Sequence, residues 1–118
     1  MIYYNQNKYH AKKVNYGGMT FASQKEYTRW CELNILLRAK KISNLQRQVK
    51  FELIPVQKDS ENKIKERECS YIADFVYHDN ELDQMVVEDA KSPATRTKEY
   101  IIKRKLMLYR FGIAIKEV

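Results

Sequence analysis

Tyr71-Ile72-Ala73-Asp74-Phe75-Val76-Tyr77 and Gln84-Met85-Val86-Val87-Glu88-Asp89-Ala90-Lys91 are two runs of β-branched and aromatic residues joined by a polar link, His78 to Asp83. Strand interiors prefer such residues, and a short polar link between two of these runs predicts a hairpin. Both runs carry charge where a core strand is normally apolar: Asp74 in the middle of the first, Asp89 and Lys91 at the end of the second. An ionised side chain in an apolar setting is strongly unfavourable unless something compensates it, so these three positions demand an explanation.

Side chains alternate faces along a strand, which sends Val87, Asp89 and Lys91 one way and Val86, Glu88 and Ala90 the other. Asp89 and Lys91 then stand roughly 7 Å apart on one surface, within reach of one bound ion or one phosphate. Pairing of the two strands brings Asp74 beside Asp89. Two carboxylates with no cation between them repel, and one is driven towards its neutral form. A divalent cation removes the conflict, and hard oxygen ligands suit Mg2+. A register slip of one residue would give Glu88 the carboxylate role, although only Asp89 shares a face with Lys91.

An isolated aspartate on one strand, followed by Asp89-Ala90-Lys91 ending the next, resembles the signature of the PD-(D/E)XK nuclease superfamily. Ala73 stands where that pattern usually has proline. From Phe21-Ala22-Ser23 to Gly112-Ile113, the chain also resembles a small phage-encoded family of unknown function within that superfamily, similar in its core to Holliday-junction resolvases. The resemblance implies a restriction-endonuclease-like core and a DNA endonuclease dependent on Mg2+ or Mn2+. It makes Asp74, Asp89 and the carbonyl of Ala90 metal ligands, and Lys91 the group that serves the attacking water. It also implies a glutamate on the first helix completing the site, which falls on Glu26.

Working outward, Ser23 and Glu26 form the pattern of a capping box at the start of a helix running to about Lys40. Glu26 also shares helical spacing with Trp30, Leu33 and Leu37, which turns it towards the sheet. Capping and metal ligation are therefore both open for Glu26. Lys40 to Gln48 reads as a polar connection with Ile42 and Leu45 tucked beneath it, and Val49 to Gln57 as the first strand, weakened by Pro55. Gln48 either bonds a phosphate or sits exposed. Asp59 to Asn62 is a turn, and Lys63 to Ser70 is either a short helix or, the favoured reading, strand leading into Tyr71. His78 could help bind metal or substrate, and an exposed hairpin residue is the favoured reading.

Ser92 to Thr95 leaves the second run, and a helix follows from Thr95 or Arg96 to Phe111, stopped by Gly112. Tyr100, Met107 and Phe111 form its apolar stripe, with Ile101 and Leu108 beside it. Ile113 to Val118 supplies a last strand. The resulting order, α-β-β-β-α-β, predicts an α/β (α+β) domain with a mixed sheet flanked by helices.

One domain, residues 19–118, is expected, preceded by a basic, tyrosine-rich arm over 1–18. The net charge of +7 points to a polyanionic partner, DNA foremost. Lys8, Lys12 and Lys13 on the arm and Arg96, Lys98 and Lys103 on the second helix are the candidate phosphate contacts. A loosely packed N-terminus is the plain alternative for the arm. The chain shows no secretory h-region and no apolar run of membrane-spanning length, and Cys31 and Cys69 lack zinc-ligand spacing, so a cytoplasmic protein with reduced thiols is expected. Symmetric cutting of a four-way junction would require a homodimer. Two rivals stand beside an endonuclease acting on branched DNA: a non-catalytic nucleic-acid-binding or regulatory protein on a nuclease fold, and an end-processing exonuclease.

Overall fold

In the computed structural model, which describes residues 13–118, the chain opens with a hairpin of β1 (Val14–Tyr16) and β2 (Met19–Phe21). Gly17 and Gly18 turn it with φ of +58° and +80°, a conformation glycine adopts without steric cost. Helix α1 (Gln24–Arg38) follows, then β3 (Ile42–Ile54), a small outlying hairpin of β4 (Gln57–Lys58) and β5 (Ile64–Glu66), β6 (Cys69–Asp79), β7 (Gln84–Asp89), α2 (Lys98–Phe111) and β8 (Lys116–Glu117). The main sheet has the order β3-β6-β7-β8, antiparallel except for β8, which runs parallel to β7. With the two small hairpins set aside, this is the expected α-β-β-β-α-β arrangement: an α+β fold with a mixed sheet and two helices. Among the described residues, no helix is long and apolar enough to cross a membrane. Lys8 and Lys12 of the arm lie outside the described residues.

Several local expectations are corrected. The stretch Lys40 to Gln48 is not a connection: β3 begins at Ile42, which is buried, and pairs with β6 from Asp79 onward. Residues 64–66 pair with β4 instead of leading straight into β6, so strand β6 starts at Cys69. β7 stops at Asp89 and Lys91 lies just beyond it. α2 starts at Lys98, because Thr97 is its N-cap and the Ser92–Thr95 segment folds into its own hydrogen-bonded turn. Gly112, at φ +68°, ends α2 as expected. On α2 the buried positions are Tyr100 and Met107, whereas Leu108 and Phe111 are exposed.

The helices cover opposite faces of the sheet. Val87 packs in an apolar cluster with Tyr100 and Met107 of α2, while its neighbour Glu88 faces Arg29 of α1. Strict alternation along β6 would set Tyr71, Ala73, Phe75 and Tyr77 on one face. Instead Tyr71 and Ala73 join the α2 cluster, and Phe75 and Tyr77 join a second cluster with Leu33 of α1. β3 changes sides at the same level: Val49 and Phe51 pack on the α2 cluster, whereas the Arg47 guanidinium lies over Phe21 and Trp30. The pairs Arg47↔Phe75 and Val49↔Ala73 keep one register across this break. The exchange of faces therefore falls on the couple between them, Gln48 and Asp74, with Gln48 in the left-handed region at φ +52°.

Candidate active site

The four residues expected to carry the chemistry line one cleft of about 370 Å³: Glu26 from α1, Asp74 from β6, Asp89 from the end of β7, and Lys91 beyond it. Ala90, Tyr71, Tyr100 and Lys103 line it too. The cleft exists because β6 and β7 stop pairing here. Their last bridged couple is Phe75↔Glu88, which places Asp74 opposite Asp89 at the next step. The freed backbone N–H of Ala90 donates to Asp74 Oδ2 at 2.9 Å.

Each carboxylate has a different set of partners. Glu26 is almost wholly buried. Ser23 accepts from the Glu26 N–H at 3.2 Å, the first half of the expected capping box. The reciprocal half is shifted by one residue: Glu26 Oε2 accepts from Ala22 N at 2.8 Å. That leaves Oε1, which accepts from Gln48 Nε2 at 3.2 Å and lies 3.6 Å from Arg47. One oxygen caps the helix and the other faces the site, so both roles considered for this residue have an atom to serve them.

Asp89 is buried, with Oδ1 3.0 Å from Lys91 Nζ and Oδ2 accepting from the Tyr71 hydroxyl. Asp74 is half-buried and accepts from Ala90 and, at 3.4 Å, from Gln48. Burial, then the charges of Asp89 and Glu26, push its carboxyl up to about 7, with the Ala90 amide opposing. Burial and the Asp89 charge likewise raise the Tyr71 phenol, which keeps it a donor.

Lys91 is fixed from several sides. Its N–H donates to Val118 O at 3.1 Å, and its carbonyl accepts from Lys25 Nζ at 2.5 Å. Its ammonium lies 4.2 Å from the centre of the Tyr100 ring, a cation–π contact that orients it over the cleft. Val87, Asp89 and Lys91 do project to one side, as alternation predicts.

The donor set fits a hard divalent ion in charge and chemistry, since Asp74, Asp89, Glu26 and the Ala90 carbonyl offer only oxygen. Burial and then the charges of Asp89 and Glu26 disfavour the ionised Asp74, and a cation here would offset the second of these. Among the described residues, no group of three His, Cys, Asp or Glu side chains is drawn close enough to hold a metal. The hydrogen bonds account for this: Asp89 is turned to Tyr71 and Lys91, and Glu26 to Ala22 and Gln48.

The candidate phosphate contacts separate into groups. Lys13 and Lys98 are exposed. Arg96 pairs with Glu117 at 2.6 Å, and Lys103, which lines the cleft, pairs with Glu99 at 3.1 Å. His78 is half-exposed on the β6–β7 hairpin and lies 2.9 Å from Asp83. Glu88 is fully buried against Arg29 and Tyr77, on the face away from Lys91. Tyr71, Tyr100 and Arg29 take polar partners that the sequence does not announce. The two tyrosines look like core aromatics in sequence, and only the charges beside them reveal their polar ends. Arg29 gives no such signal, because its partner Glu88 lies 59 positions away.

No curated protein and no solved structure matches the chain. A family model matches residues 6–116, and on that match the chain belongs to the family described as protein of unknown function (DUF1064).

Proposed function

We propose that the protein is a divalent-metal-dependent DNA endonuclease built on a restriction-endonuclease-like core and selective for branched or otherwise distorted DNA. The observation that carries this reading is the convergence of Asp74, Asp89, Lys91 and Glu26 on one cleft, from three different elements and the segment after β7. A surface ion pair would explain Asp89 and Lys91 alone. It would not explain Asp74, held opposite Asp89 with its carboxyl raised, or a buried glutamate on the facing helix.

Hydrolysis requires a water to attack phosphorus, the P–O bond to the departing sugar oxygen to break, and a proton to reach that oxygen. Bound Mg2+ or Mn2+ would polarise the phosphate and acidify a water. Asp74, Asp89 and the Ala90 carbonyl would hold the ion, with Glu26 Oε1 reaching it directly or through water. Lys91 would orient the attacking water and balance the negative charge that develops on the phosphate. Lys103, Lys98, Arg96 and Lys13 would steer the backbone, and a domain this small reads DNA shape more readily than base sequence.

The test is incubation of purified protein with Mg2+ or Mn2+ and linear, supercoiled and four-way-junction DNA. Cleavage within strands of the junction is expected, abolished by Asp74→Ala. Binding without cutting in either metal would overturn the enzymatic reading. It would favour a non-catalytic binding protein, for which the engagement of both Asp89 oxygens by Tyr71 and Lys91 speaks. Release of mononucleotides from ends would indicate an exonuclease.

A further inference from the structure

Gln48, read in the sequence as a phosphate contact or an exposed residue, touches two of the acids instead. Its Nε2 lies 3.2 Å from Glu26 Oε1 and 3.4 Å from Asp74 Oδ1. An amide nitrogen carries two hydrogens, one for each partner, and both partners are acceptors, which fixes the nitrogen rather than the oxygen towards them. Its backbone is at φ +52°, inside a strand, where a residue with a side chain costs roughly 1 kcal/mol more than glycine. Its side chain is exposed, so burial does not account for where it points. An unfavourable backbone without burial calls for another reason to keep the side chain.

We propose that Gln48 is a positioning residue of the cation site, holding the carboxylates of Glu26 and Asp74 together before the ion arrives. These acids come from a helix and a strand far apart in sequence, and their charges repel. A shared donor offsets that repulsion and keeps the two oxygens on one side of the cleft. The left-handed backbone aims the amide at them from the strand that changes faces at this point. When a cation takes over the two oxygens, the exposed amide is free to turn away, so it would act before binding and not as a ligand. The inference rests on the hydrolytic reading only in placing a cation here.

The experiment compares the parent chain with Gln48→Gly and Gln48→Asn. Glycine relieves the backbone, and asparagine tolerates the left-handed region while falling one methylene short of the acids. Mn2+ affinity is measured by titration calorimetry, and Tm is recorded with and without Mn2+. Both variants are expected to keep a metal-free Tm at or near that of the parent, while Mn2+ binding weakens five- to twentyfold and the Mn2+-induced rise in Tm shrinks. Parent-like Mn2+ affinity in either folded variant would overturn the role of Gln48 and leave the hydrolytic reading standing. Absence of Mn2+ binding by the parent would overturn both.

Discussion

Arg29 clasps Glu88 by both oxygens: Nε and Nη2 each stand 2.8 Å from one of them, and the Tyr77 hydroxyl donates to the same carboxylate. Glu88 is completely buried, and every oxygen it has is matched. Removing one partner of such a pair leaves the other charge stranded. Glu88→Leu should lower stability by about 3–5 kcal/mol in urea unfolding, and the Arg29→Met/Glu88→Leu double variant by clearly less. In the milder Glu88→Gln variant, cleavage per folded molecule should be unchanged, which would remove Glu88 from the chemistry.

Asp74 gives the protein a distinctive response to pH. Its carboxyl titrates near 7 when folded and near the ordinary aspartate value when unfolded, so between those values the folded state holds the extra proton. Stability should therefore fall as pH rises from about 4 to about 7, and stay low above that. Asp74→Asn should flatten this slope and be more stable than the parent at pH 8 by about 1–3 kcal/mol. Chemical denaturation across the pH range measures it. A parent whose stability rises through the same window would contradict the raised carboxyl.

Lys91 and Asp89 are expected to fail differently from their support. Lys91→Ala and Asp89→Asn should each lose at least about 100-fold in Mg2+-dependent cleavage while retaining the circular dichroism of the parent. Tyr71→Phe removes only the hydroxyl that holds Asp89 Oδ2, and a loss of about tenfold is expected. Equal losses in all three would mean that the tyrosine acts in the reaction and not through Asp89.

Glu26→Gln separates the two functions of that residue. The amide oxygen can still accept from Ala22 N, so the helix cap survives, whereas the charge facing the site is gone. Tm should drop by only a few degrees, with cleavage reduced by at least about tenfold. A folded variant with full activity would leave Glu26 as a cap alone.

How far the sequence carried this description depended on whether a signal was local. The Ser23 cap, the stop at Gly112, the β6–β7 hairpin and the common side of Val87, Asp89 and Lys91 all follow from neighbours a few positions apart, and those readings agree with the structure. The start of β3 did not show, because Asn44 and Gln48 adopt left-handed φ of +54° and +52° and break the alternation that marks a strand. Ile42, Leu45 and Val49 consequently look like scattered apolar residues in a loop. The pairing of Arg29 with Glu88 joins positions 59 apart and leaves no local trace. Tyr71 and Tyr100 were legible as core but not as partners of Asp89 and Lys91, since an aromatic ring shows its burial in a sequence and hides the aim of its hydroxyl.

The exchange of faces along β6 divides that strand between the two helices at Asp74. Its leading half is loaded by α2 through Tyr71 and Ala73, its trailing half by α1 through Phe75 and Tyr77. Both helices therefore bear on one strand from opposite sides of a single residue, and a volume change in either cluster acts on the backbone that carries this acid.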